Sequence, residues 1–133
     1  MSCILYFEIT NSPSSSFLKE KMVWLRELIP QLAMFDFDNH SDALLKNYAM
    51  KLIQENVQKV LYLDILDEES VKGTLPFMER MLSGSSKLVL ICSKHNVFID
   101  VIAGQYNISQ KIAESRNDIA ESLRDYIKGG VRL

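Results

Sequence analysis

The sequence predicts an α/β three-layer sandwich built on a mainly parallel sheet of four or five strands. Three observations carry that expectation. Short runs of apolar, β-branched and aromatic residues alternate along the 133-residue chain with longer segments whose apolar residues recur every three or four positions. The links between successive strands are too long for hairpins, so parallel crossover connections follow. Two strands, KVLYLDIL at 59–66 and KLVLICS at 87–93, are almost continuously apolar, as expected of strands covered on both faces.

CILYFEI at 3–9 reads as the first strand, and TNSPSSS at 10–16 breaks it with polar residues and Pro13. From Ser14 or Ser15, the spacing of Phe17, Leu18, Met22, Leu25, Leu28, Ile29 and Leu32 predicts an amphipathic helix, which Pro30 stops or kinks. AMFDFD at 33–38 is a shorter strand. Residues 41–58 are helical again, with Leu44, Leu45, Tyr48, Leu52 and Ile53 expected on the buried face.

After the strand at 59–66, DEES starts a helix carrying Val71, Leu75, Met78, Met81 and Leu82, which Gly84 can end. Gly73 and Pro76 weaken its first half and predict a late start. Beyond the strand at 87–93, residues 95–106 suit either a short helix or a strand. YNIS is a break, and a last helix is expected from Ser109 to about Lys128, ended by Gly129-Gly130. No linker, repeat or low-complexity tract divides the chain, so a single α/β domain over 1–133 with a flavodoxin-like winding is expected.

The composition narrows the function classes. Residues are 47% apolar and 24% charged, which is a globular balance. Net charge is -2 with acids and bases interspersed, so neither nucleic acid nor an anionic membrane surface is an expected partner. Cys3 and Cys92 each lie in an apolar run, which fits buried free thiols in a reducing compartment. The start MSCILYFEI lacks the features of a signal peptide, and no apolar run approaches the roughly 20 residues that span a bilayer. A soluble cytoplasmic protein is the expectation.

Ligands of parallel sheets gather at the carboxyl ends of the strands, where Thr10–Ser16, Asp36–Ser41, Asp64 with Asp67, and Ser93–Asn96 fall. MFDFDNHS, 34–41, resembles the opening Asp-x-Asp motif of haloacid dehalogenase-like phosphotransferases, and LVLICS ending at Ser93 resembles their second motif. That resemblance implies Asp36 as nucleophile and Asp38 as the group handling the leaving-group proton. The family's later acidic pair is not evident, because most acids after Ser93 fall in the predicted last helix. The alternative is plain local structure. Alternation puts Met34, Asp36 and Asp38 on one partly solvated face of an edge strand, while Asn39 or Ser41 caps the next helix.

TNSPSSS resembles the hydroxyl-rich phosphate loop of flavodoxins, although it lacks glycine and Pro13 removes an amide. Asp64 with Ser93 and Lys94 resembles a receiver phosphoacceptor site, but Thr10-Asn11 stands where receivers carry an acidic pair. No Gly-x-Ser-x-Gly elbow is present. His40, His95, Asp38 and Asp64 are reasonable metal ligands by type and have no local spacing motif, so no metal site is assigned.

Two readings remain. The first is a non-catalytic interaction or regulatory module, self-associating as a homodimer through residues 75–104, where LPFMERML and NVFIDVIAG are apolar beyond one stripe. That excess also suits an element tucked beneath the last helix. The second is a binder of, or enzyme for, a phosphate, nucleotide or flavin, held by Thr10, Ser12, Ser14, Ser15, Asp38, Asp64 and Ser93. Catalytic residues and the cofactor stay unassigned.

Overall fold

A computed structural model describes residues 2–11, 20–30, 33–55, 58–83 and 88–126. Five strands, β1 Ser2–Ile9, β2 Ala33–Asp38, β3 Gln58–Ile65, β4 Leu88–Cys92 and β5 Gln110–Ile112, form one sheet in the order β2-β1-β3-β4-β5. Every neighbouring pair is parallel. The chain therefore steps outward from β1 to β2, crosses back over β1 to β3, and continues in the opposite direction to β5. The reversal lies between β1 and β3, where loops leaving neighbouring strands diverge to opposite faces.

Helices α1 Glu20–Leu28, α2 Ala43–Glu55, α3 Val71–Leu82, α4 Val97–Gln105 and α5 Arg116–Tyr126 supply the crossovers and the last layer. Strand alternation assigns them to faces. Leu5, Phe7 and Ile9 of β1, Leu61, Leu63 and Ile65 of β3, and Leu90 and Cys92 of β4 pack with α2, α3 and α4. Ile4 and Tyr6, Val60 and Tyr62, and Ile91 point the other way, against α1 and α5. β1 and β3 are buried on both sides, which explains their largely apolar sequences, interrupted by the buried Glu8, Lys59 and Asp64. β2 is an edge strand whose Asp36 is exposed, as its alternation predicted.

Within residues 95–106 the ambiguity resolves as a helix, α4, capped by Asn96. Asn96 Oδ1 accepts from the amides of Phe98 at 3.0 Å and Ile99 at 3.4 Å, satisfying the first free donors of α4. At the other end Asn107 adopts φ 57°. Its amide donates to Gly104 O at 3.2 Å, and that of Ile108 to Ala103 O at 2.8 Å, a Schellman closure.

The expected helix from Ser109 is corrected. Residues 110–112 form β5 and α5 begins only at Arg116. Three residues are too few to show a period of two, and the pairing with β4 at Leu90, Ile91 and Cys92 decides their conformation. The late start expected for α3 is also corrected. A 3₁₀ turn at Glu68–Ser70 leads straight into Val71, and Pro76 stands inside the helix on an exposed position. The carbonyl of Lys72, which loses its helical donor there, belongs to an exposed residue that water can reach.

α2 turns differently from its predicted stripe. Ala49, Met50 and Ile53 are its buried residues, while Leu44, Leu45 and Tyr48 are exposed. Tyr48 meets Phe35 of the edge strand edge-on, at 4.9 Å between centroids. The predicted helix before Glu20 and the stops at Gly84 and Gly129-Gly130 lie outside the described residues. Cys3 and Cys92 are free and buried, on strands separated by β3. No helix among the described residues is long and apolar enough to cross a membrane.

Candidate functional site

The strand register sets Glu8 between Asp38 on β2 and Asp64 on β3, three carboxylates abreast on the α1 side at the carboxyl end of the sheet. Glu8 and Asp64 are buried and Asp38 is half-buried. Asp64 is held firmly. The Tyr6 hydroxyl donates to Asp64 Oδ2, and Lys21 of α1 places its ammonium 2.9 Å from Oδ1. Burial and then the adjoining Asp64 charge push the Tyr6 hydroxyl far above its ordinary range. Tyr6 also stacks on Tyr62, whose hydroxyl donates to Ala113 O at 2.8 Å. Lys21 and Tyr6, which the sequence reading did not single out, thus meet Asp64 from two different elements.

The MFDFDNHS stretch is spent on its own turn. Asp38 Oδ1 accepts the His40 amide at 2.7 Å, and the Asp38 amide donates to Ser41 Oγ at 3.0 Å. Asn39 does what a seventh register pair would have done. Its Oδ1 accepts from Thr10 N and its Nδ2 donates to Thr10 O, both at 2.9 Å, so an amide side chain extends the β1–β2 ladder by one step. His40 Nε2 lies 2.8 Å from the same carbonyl, as the donor of that bond. The cap of α2 is Asp42, which accepts from Leu45 N at 3.0 Å, and not Asn39 or Ser41.

Ser93 is equally committed. It is buried, its Oγ accepts the Ile65 amide at 2.8 Å, and its own amide donates to Leu63 O at 2.9 Å. A hydroxyl here continues the β3–β4 pairing where the strands part. Ser93→Ala is expected to strand the Ile65 N–H and cost about 1–3 kcal/mol in denaturant unfolding. A loss below about 0.5 kcal/mol, the scale of an inconsequential substitution, would show that another acceptor replaces the hydroxyl.

Of the sequence-derived ligand set, Thr10 and Asp38 are therefore neighbours through the Asn39–His40 turn, Asp64 stands two strands over, and Ser93 closes the β3–β4 end. Ser12, Ser14 and Ser15 lie outside the described residues. The histidines are apart in the loops after β2 and β4, with His95 Nδ1 4.0 Å from Asp100. Among the described residues no three of His, Cys, Asp and Glu gather as a metal-ligand set. Burial holds both thiols protonated, raising Cys3 to about 11 and Cys92 to about 12.

The opposite face of the same sheet end carries a cavity of about 310 Å³. Phe7 and Phe77 line its apolar part and contact each other edge-on at 5.7 Å. His40 and Lys46 enter from the β2–α2 side, and Glu69, Ser70 and Thr74 from the start of α3. These residues come from four places in the chain, with no spacing signal to join them. No protein-family model matches the chain, and no curated protein matches it significantly. The site is interpreted from its own chemistry.

A third feature lies next to it. Leu66, just past β3, and Val97, Phe98 and Val101 of α4 are exposed, Val97 and Val101 by 67% and 63%. Within 75–104 the large residues Met78, Met81, Leu82 and Ile102 are instead buried, so the apolar excess splits into a core face and an outward face. A shallow depression of about 510 Å³ runs from Glu68 and Lys72 to Val97 and Phe98.

Proposed function

We propose that the protein is a non-catalytic interaction module of flavodoxin-like winding, which docks through the outward face of α4 and whose first partner is a second copy of itself. One observation carries this reading: the polar groups at the strand ends are consumed by internal bonds, while Leu66, Val97, Phe98 and Val101 stand in water. Val97, Phe98 and Val101 lie within one turn on one face of α4, and exposed apolar side chains gathered in this way mark interaction surfaces. They match the apolar centre of an interface that buries about 800 Å² on each partner.

Self-pairing is supported by charge. Asp100 is the one ionisable residue of α4, and it is already engaged by Gln110 Nε2 at 2.6 Å and faced by His95. Two such faces meet with little like-charge repulsion. Free buried thiols fit a reducing, cytoplasmic setting, and the interspersed charge gives nucleic acid no basic face.

Sedimentation velocity over a wide concentration range tests the reading. A reversible dimer is expected, with Val101→Asp weakening it at least tenfold, while Leu45→Asp on α2 leaves it unchanged. A strictly monomeric wild-type protein at the highest attainable concentration would overturn it.

A further inference from the structure

We infer that the cavity between α2 and α3 is a binding site for a small zwitterion, a molecule with one carboxylate and one ammonium on an apolar body of amino-acid size. The inference does not depend on the α4 surface. The cavity sits at the carboxyl end of the sheet, with Phe7 from β1, one wall from the loop after β2 and α2, and the other from the segment after β3. It is thus on the α3 side of the reversal between β1 and β3, where doubly wound sheets bind ligands. Its 310 Å³ is at the small end of ligand pockets.

The class of ligand follows from which groups remain available. Asn39 is fixed by Thr10 through both its Oδ1 and one Nδ2 hydrogen, which leaves it one N–H donor. Ser70 donates its hydroxyl proton to Asp67 and Thr74 donates its own to Val71 O, so both present only oxygen lone pairs to the cavity. With Nε2 directed at Thr10 O, neutral His40 likewise retains an acceptor at Nδ1. Glu69 contributes a carboxylate. Opposing these acceptors is one cation, Lys46, whose ammonium lies 5.9 Å from the Phe77 ring centroid. Neither Lys46 nor Glu69 joins any ion pair among the described residues.

A cavity offering one ammonium, one carboxylate and several acceptors has no net charge of its own. Its complement carries an anionic group for Lys46, a donor-rich cationic group for Glu69, Ser70 and Thr74, and an apolar portion for the half-buried ring of Phe77, which the fully buried Phe7 backs from the core. A free amino acid with an apolar side chain has that pattern. Phosphate lacks it, because its second charge meets Glu69 with no second cation to offset it. Gly73 leaves the α3 side open, with nothing within 4 Å of where a Cβ would stand.

Amide-resolved NMR titration of the full chain tests this with leucine and phenylalanine as probes. Saturable shifts are expected at residues 39–41, 46 and 69–74, with a Kd on the order of 0.1–1 mM for so few ligand atoms. Phenylpropionate and phenethylamine, which each lack one charge, should bind at least tenfold more weakly than phenylalanine. Lys46→Met and Glu69→Gln should each weaken phenylalanine at least tenfold, their undisturbed spectra elsewhere showing that the fold is kept. The inference is overturned if neither amino acid gives saturable shifts, if inorganic phosphate binds more tightly than both, or if binding survives both substitutions.

Discussion

Lys21→Met is expected to lower folding stability by about 3 kcal/mol, the lower part of the range for breaking a buried ion pair. The substitution keeps most of the apolar stem and removes only the ammonium. Asp64 is then left with 6% of its side chain exposed and no cation at 2.9 Å, with only the Tyr6 hydroxyl bonded to it. Lys21 itself is 17% exposed, so water reaches the place it vacates and softens the loss. Glu8 in register beside Asp64 adds to the electrostatic cost on the same face. Adding Asp64→Asn to the Lys21→Met chain should recover at least about 1 kcal/mol, because a neutral amide oxygen still accepts from Tyr6 and no uncompensated charge remains. Urea unfolding of the two variants decides it. A Lys21→Met chain within about 0.5 kcal/mol of the parent would mean that the pair contributes nothing net, as many exposed pairs do.

The continuous apolar runs of β3 and β4 and the short amphipathic α1 are legible in the sequence because burial on two faces, or on one stripe, leaves a periodic mark over many residues. AMFDFD was legible as an edge strand for the same reason, with Phe35 and Phe37 alternating against Asp36 and Asp38. β5 was not, because three residues are too few to show a side-chain period and their conformation is set by pairing with β4. The stripe on α2 was misassigned because Leu44, Leu45 and Tyr48 satisfy helical spacing as well as Ala49, Met50 and Ile53 do. Spacing gives a face, and only packing against β1 and β2 says which face is covered.

Site chemistry was harder still. Asp64 and Ser93 were identifiable as strand-end polar residues, yet their partners are Tyr6, Lys21 and the Ile65 amide, up to 58 positions away. The sequence cannot show that a hydroxyl is already spent. The cavity is the reverse case, since Phe7, Lys46, Glu69 and Phe77 carry no motif and become a set only when α2 and α3 pack side by side. Asn39 illustrates both limits, because an expected helix cap proves to be a backbone surrogate joining β1 to β2.

The fold is expected to come apart in alkali, with stability falling steeply from about pH 9. In the unfolded chain thiols ionise near about 8.5 and phenols near about 10. In the folded chain burial raises Cys3 to about 11 and Cys92 to about 12, and burial first, with the Asp64 charge second, carries Tyr6 and Tyr62 well above 10. Between the unfolded and folded values the native state retains protons that the unfolded state has released. Stability is then fully present below the unfolded values and is lost as pH rises towards the folded ones. Each such group contributes a slope of about 1.4 kcal/mol per pH unit, so two thiols give about 3, and two tyrosines add as much again above about pH 10. Lys59 acts in the opposite direction. Burial lowers its ammonium below 10.5, so the folded state sheds that proton first and gains stability as pH approaches 10.5. One group against four leaves a net loss on the order of 5–10 kcal/mol by about pH 11, comparable with the whole stability of an ordinary domain. Urea titrations at steps between about pH 8 and 11, with tyrosinate absorbance followed in parallel, measure both sides of this linkage. Tyrosinate from Tyr6 and Tyr62 should emerge only with unfolding, and Cys92→Ala should flatten the slope between about pH 9 and 10 by close to half of the thiol contribution. A stability that stays level through that interval would mean the thiols and phenols ionise within the fold, and that the stacked tyrosines beside Asp64 are far better solvated than their packing implies.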